Sequence, residues 1–316
     1  MPTESHSERK SCHIRLTEGE GVTHGRQGSP RFGVAGNAPN FKQSAYRGDT
    51  LLAPRWLREI GLEAYEYEAV RGVGISEERA AVLGEAAETN DITLSLHAPY
   101  YTNFASLDPE TIRNSIRHLT ESVRAASQMG ARVVVLHPGW YKGHREPERA
   151  LERCCETLLT ALEEIASVDE RTLIAPETSG SLAQFGTVDE ILSLCRIHSR
   201  LIPCLDFAHM HARQSGRPFD ADAFDAVFSS VETVLGREKL NQLHVHYYPV
   251  GYGPRGERGH RAFDETDYGP RPEPFVDALH RWGLEPTVIC ESRDRQDLDA
   301  LLMKRLYEKT REQGSG

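Results

Sequence analysis

Eight short apolar runs, separated by stretches of helical periodicity, constrain what this chain can fold into more than any other feature. They are Phe32–Ala35, Ala64–Ala69, Ile92–His97, Val133–His137, Leu173–Glu177, Ile202–Asp206, Leu243–His246 and Val288–Glu291. Runs of that length suit strands buried on both faces. The intervening segments carry helix punctuation. Asp108 caps a helix with Pro109 in its first turn; Ile112, Ile116, Leu119 and Val123 keep the spacing, and Gly130 ends it. Leu151, Cys155, Leu158, Leu162 and Ile165 stripe the next helix, and Thr187 with Glu190 forms a capping box before another. Weaker helical patterns occupy about 49–60, 76–89, 221–235, 273–282 and 295–312. Strands alternating with helices imply a parallel sheet, and eight such units imply a single closed (β/α)8 barrel over residues 31–316. A doubly wound open sheet is the alternative, but "GVAGNAPN" after the first run lacks the G-x-G-x-x-G spacing of a dinucleotide site.

Residues 1–30 are rich in Ser, Glu, Gly, Arg and His, too polar to bury enough surface to offset their ordering, and are expected to be a disordered tail. Cys12 and His13 within it have no further ligand-type partners close by. The tail lacks a signal's apolar core, and no apolar run approaches the ~18 residues of a membrane span. The six cysteines are scattered, without a C-x-x-C pair, so they do not outline a disulfide framework and suit a reducing cytoplasm. A net charge of −10 argues against a broad basic nucleic-acid surface.

The strand ends carry the chemistry. From the third run onward they present His97, His137, Glu177, Asp206 with His209, His244 with His246, and Glu291. In a barrel these ends converge on one face, where the loops build active sites. One strand-end histidine is ordinarily a satisfied core residue. Six consecutive strands ending in imidazole or carboxylate are another matter, because such a cluster is costly without a cation. Nitrogen and carboxylate ligands suit Zn2+, and less exclusively Mn2+ or Fe2+. Glu257 and His260, in the glycine-rich segment "YYPVGYGPRGERGH", extend the set. With about four ligands per ion, two or three ions are expected.

This constellation resembles the endonuclease IV family of apurinic/apyrimidinic endonucleases, within the xylose isomerase-like barrel superfamily. The resemblance runs from about residue 31 to 306 and rests on "LHAPYYTN", "VVLHPG", "APETSG", "CLDFAH" and the glutamate of strand eight. It implies a trinuclear zinc enzyme, monomeric, that cuts DNA 5′ to an abasic site and leaves a 3′-hydroxyl. His97, His137 and Glu177 would form the first zinc site. Glu177, Asp206, His244 and Glu291 would form the second, and His209, Glu257 and His260 the third. Glu177 and Glu291 would also orient the attacking water. Tyr100 would contact bent DNA, as would Arg47 or Lys42 in the loop after strand one; Asn103 receives no role. The chain departs from the family in two places. Where the family has a His followed two residues later by Asn, this chain reads His244-Val245-His246; His244 is the preferred ligand and His246 the alternative. The family's Asp-x-His of the third site is here Glu257-Arg258-Gly259-His260, one residue longer. Three rivals stand beside this reading. A sugar isomerase or epimerase would use Glu177, Asp206, one strand-seven histidine and Glu291. A UV-damage endonuclease would differ only in its lesion. An inactive barrel serving as a scaffold would leave the ligand cluster without purpose.

Overall fold

The chain from residue 29 to 314 is described by a computed structural model; most of the expected polar tail, with Cys12 and His13, lies outside the described residues. Eight parallel strands make the central sheet: β1 (Arg31–Ala35), β2 (Ala64–Glu68), β3 (Thr93–His97), β4 (Val133–Leu136), β5 (Leu173–Pro176), β6 (Cys204–Asp206), β7 (His244–His246) and β8 (Thr287–Cys290). Hydrogen-bonded neighbours run β5-β4-β3-β2-β1-β8-β7-β6, so β1 pairs with β8 and the sheet curls round. Closure between β5 and β6 is made by two isolated bridges, Ile174 to Leu201 and Glu177 to Cys204. Between them lies Pro203, which has no N–H to give a ladder. For the same reason β6 starts at Cys204 rather than at the expected Ile202.

Helices follow the strands, as the barrel reading requires. Asp108 accepts from the backbone N–H of Thr111 at 3.0 Å and caps the helix Pro109–Gln128. The Thr187–Glu190 capping box forms reciprocally at the start of Val188–Cys195. The expected helix at 49–60 splits into a 3-10 turn, Thr50–Leu52, and a helix, Ala53–Ile60. A short helix not expected from the sequence, Phe207–Arg213, follows β6 directly and carries His209. No helix among the described residues is long and apolar enough to cross a membrane, and the five described cysteines are free.

Strand alternation sorts the side chains into two compartments. Tyr65, Leu94, Leu96, Val134, Leu136, Ile174, Leu205, Val245 and Val288 point outward into the main core beneath the helices. Among the described residues the lumen holds two small apolar clusters: Val133, Val135, Ala175, Ile202 and Cys204, and Ala35, Ala64 and Ile289. Other buried side chains that point inward are polar, namely Glu66, Ser95, His97, Glu177, Asp206, His244 and His246. Strands β4, β5 and β8 each end one residue before the expected ligand, so His137, Glu177 and Glu291 stand just beyond the ladder, on the C-terminal face.

Candidate metal centre

Glu177 is the hub. Its Oε2 lies 3.3 Å from His137 Nδ1 and 3.4 Å from His97 Nε2; its Oε1 lies 2.9 Å from His246 Nδ1 and 3.5 Å from His209 Nδ1. Asp206 and Glu291 approach His246 Nδ1 at 3.9 and 3.6 Å. Ligand atoms of His97, His137 and Glu177 lie within 4.8 Å of one another, as do those of Glu177, Asp206 and His209 and those of Asp206, His246 and Glu291.

The expectation for His244 changes here. Register pairs Cys204 with His244 and Asp206 with His246. Both histidines point inward, but His246 is level with Asp206 and His244 is one layer deeper. There His244 Nε2 meets Glu66 Oε2 at 2.8 Å instead of the Glu177 hub. The spacing H-x-H told that both side chains share a face and could not tell which layer each occupies.

The third set is held by a β-hairpin after β7, Val250–Gly253 and Gly256–His260. Tyr252 pairs with Glu257 and Gly251 with Gly259, so Arg258 is the extra residue of a β-bulge. In a regular strand, residues three apart face opposite sides; the bulge returns Glu257 and His260 to one side. The longer spacing in the sequence is thereby absorbed. Glu257 sits between His209 Nε2 at 3.1 Å and His260 Nε2 at 3.5 Å. Gly180 lets the hairpin approach, since a Cβ there would come within 2.9 Å of both Glu257 Cβ and His209 Cδ2.

Several rings are aimed by backbone. A carbonyl can only accept, so the contacts of His97 Nδ1 to Ala98 O (2.7 Å), His209 Nδ1 to Thr178 O (2.8 Å) and His260 Nδ1 to Glu291 O (2.7 Å) put the proton on Nδ1. Nε2 of each is left facing the carboxylates, the arrangement that prepares an imidazole for a metal. His137 Nδ1 is buried without a hydrogen-bond partner, and a cation between it and Glu177 would satisfy both. The donor set thus fits divalent ions with nitrogen and oxygen preference.

The clustered charges also shift one another's protonation. Burial opposes a charge on His97, yet Glu177 beside it, helped by Glu66 and Glu291, raises its pKa to about 9. Burial lowers His137 to about 4; Glu177 opposes the fall, and His97, His209 and His246 add to it. Burial raises Asp206 to about 7 against the pull of His209, and Glu177 adds to the rise. Glu177, although buried, is held well below the carboxylate range by His137 and His246.

Residues that the sequence reading missed complete the site. Glu66 is fully buried under it, and its signal was its inward parity with the lumen residues of "AYEYE". Tyr248 donates to Asp206 Oδ2 at 3.0 Å and stacks on His260 with centroids 4.2 Å apart. Of the expected DNA contacts, Tyr100 is exposed and packs edge-on against Tyr101, and Arg47 is exposed in the loop after β1; neither is drawn into the ligand cluster. Asn103 Oδ1 accepts from the N–H groups of Ala105 and Trp140, each at 3.2 Å, and so ties two loops together.

A parallel eight-stranded barrel whose C-terminal face gathers imidazoles and carboxylates defines an enzyme-like scaffold with a candidate metal centre. Residues 54–312 match the xylose isomerase-like TIM barrel family, and the chain belongs to it. An uncharacterized protein of Methanocaldococcus jannaschii is 35% identical over 251 residues, 79% of this chain and 89% of that one. A probable endonuclease 4 of Streptomyces avermitilis is 32% identical over 167 residues, 51% of this chain and 53% of that protein, so the match spans about half its length. Endonuclease IV from Thermus thermophilus superposes with a TM-score of 0.63 at 21% identity, covering 89% of this chain and 100% of that one. D-psicose 3-epimerase from Clostridium cellulolyticum does so with a TM-score of 0.61 at 15% identity, covering 88% and 98%. At such identities these structures share the fold.

Proposed function

We propose that the chain is a metal-dependent phosphodiester hydrolase of the endonuclease IV type, cutting DNA 5′ to abasic sites and leaving a 3′-hydroxyl. The observation that carries this reading is the convergence of His97 and His137 on Glu177, beside the separate His209–Glu257–His260 set. A single-ion or two-ion sugar site built on Glu177, Asp206, a strand-seven histidine and Glu291 has little use for these five additional side chains. The partial match to probable endonuclease 4 supports the same choice.

His97, His137 and Glu177 would hold one ion, Glu177, Asp206, His246 and Glu291 a second, and His209, Glu257 and His260 a third, zinc being the metal that suits the set best. Bound there, divalent cations supply Lewis-acid activation of water and neutralise phosphate charge. Glu177 and Glu291 would orient the attacking water, and Tyr248 would steady Asp206. Tyr100 and Arg47, exposed outside the cluster, would meet the nucleic acid. A poorly stacked abasic nucleotide is easily turned out of the duplex, which would give selectivity for the lesion. The cations in the cleft would also meet the objection of a net charge of −10.

A second reading, a metal-dependent ketose epimerase, draws on that negative charge and on the epimerase fold neighbours. Incubating the metal-reconstituted chain with a duplex containing a single abasic analogue, and separately with ketoses, decides between them. Strand scission at the 5′ side supports the nuclease, and sugar turnover without scission supports the epimerase.

A further inference from the structure

His246 differs from the other oriented imidazoles in what holds its far nitrogen. His97, His209 and His260 each give a proton to a neutral backbone carbonyl. His246 Nε2 instead lies 3.0 Å from Glu66 Oε1. Both atoms are buried, and their approach is an ion-pair contact without the alignment of a hydrogen bond; the ring's aligned hydrogen bond runs from Nδ1 to Glu177 Oε1 at 2.9 Å, through the proton that a bound ion would replace. Glu66 is itself fixed from the far side, since its Oε2 accepts from Ser95 Oγ at 2.7 Å and meets His244 Nε2 at 2.8 Å. Carboxylate and rings are all fully or almost fully buried.

From this geometry we infer that Glu66 is a positioning residue for the central metal: it holds the Nε2 proton of His246 and presents Nδ1 as the ligand between Glu177, Asp206 and Glu291. An anionic partner fixes the tautomer and makes the imidazole a stronger donor than a carbonyl does. His244 and Ser95, one layer down, keep the carboxylate in place. Glu66 acts through His246 and touches neither substrate nor metal. The inference rests on the metal reading of the site and is independent of which substrate is turned over.

Two measurements on the full chain test it. The first strips the parent and Glu66→Gln of metal and titrates both with Zn2+ against a chromophoric chelator, with circular dichroism confirming the fold. The expected result is an unchanged number of ions at saturation, with one site weakened about 10- to 100-fold in Glu66→Gln. Equal affinities at every site would overturn the role. Loss of one ion even at saturating zinc would also overturn it, by making Glu66 a ligand. The second measurement needs no folded variant at Glu66. In zinc-loaded parent, long-range nitrogen–proton correlations report the tautomer of His246, whose signals are assigned by their loss in His246→Asn. A proton on Nε2 is expected, and a proton on Nδ1 contradicts the proposal. A parent that binds no zinc removes both this role and the metal reading. A parent that binds zinc but leaves abasic DNA intact removes the nuclease reading alone.

Discussion

At the scale of the residue, Glu177 organises the cluster because four histidines reach it from different elements: His97 at the end of β3, His137 beyond β4, His209 on the short helix after β6, and His246 on β7. The sequence exposed three of these readily, since each follows a buried strand or sits in "DFAHMH". It could not rank His244 against His246, because both face inward and only the register with Cys204 and Asp206 separates them. Replacing the two in turn tests that register. His246→Asn is expected to remove about one ion per chain, whereas His244→Asn should keep the full complement, both read by elemental analysis; the reverse pattern would restore the preference for His244. Proton competition gives a further expectation. Metal uptake must displace the proton that His97 otherwise keeps up to about pH 9. Below that pKa the group is mostly protonated and the proton must leave for metal to bind, so zinc affinity should climb from pH 6 to pH 9, with proton release measurable by calorimetry in two buffers. A flat profile would show that the imidazoles whose protonation is favoured here, His97, His209 and His246, are not among the ligands.

At the scale of the element, regular parts of the fold were readable and irregular ones were not. Capped helices such as Pro109–Gln128 and Val188–Cys195 follow local rules that Asp108, Thr187 and Glu190 display openly. The hairpin after β7 was hidden because its residues, in "YYPVGYGPRGERGH", carry little apolar alternation and its bulge breaks the two-residue period. That irregularity is what makes Glu257 and His260 neighbours. The hairpin seats against the loop after β5 through Gly180, where no side chain fits. Gly180→Ala should therefore push Glu257 away from His209 and cost the third ion, leaving the other two bound. Retention of all ions in that variant would mean the hairpin is free to shift.

At the scale of the whole molecule, the barrel separates two tasks. Its outer surface packs a continuous apolar core under the helices, while its lumen gives up much apolar filling to a polar column running from His244 and Glu66 up to the Glu177 hub. The outer task is what hydrophobic patterning reports, which is why the eight-unit barrel could be read from the chain. The inner task depends on strand register and on closure across the β5–β6 gap beside Pro203, and these are properties of the assembled sheet. On the proposed nuclease reading, ions held in the polar column would let an acidic chain offer an anionic substrate a cationic site. The most direct test takes the chain purified without added metal or a histidine tag, counts its metal, and asks whether it nicks an abasic duplex. About three zinc ions per chain, with 5′ incision that a chelator abolishes and zinc restores, is the expected result. A single ion and an intact duplex would contradict the account.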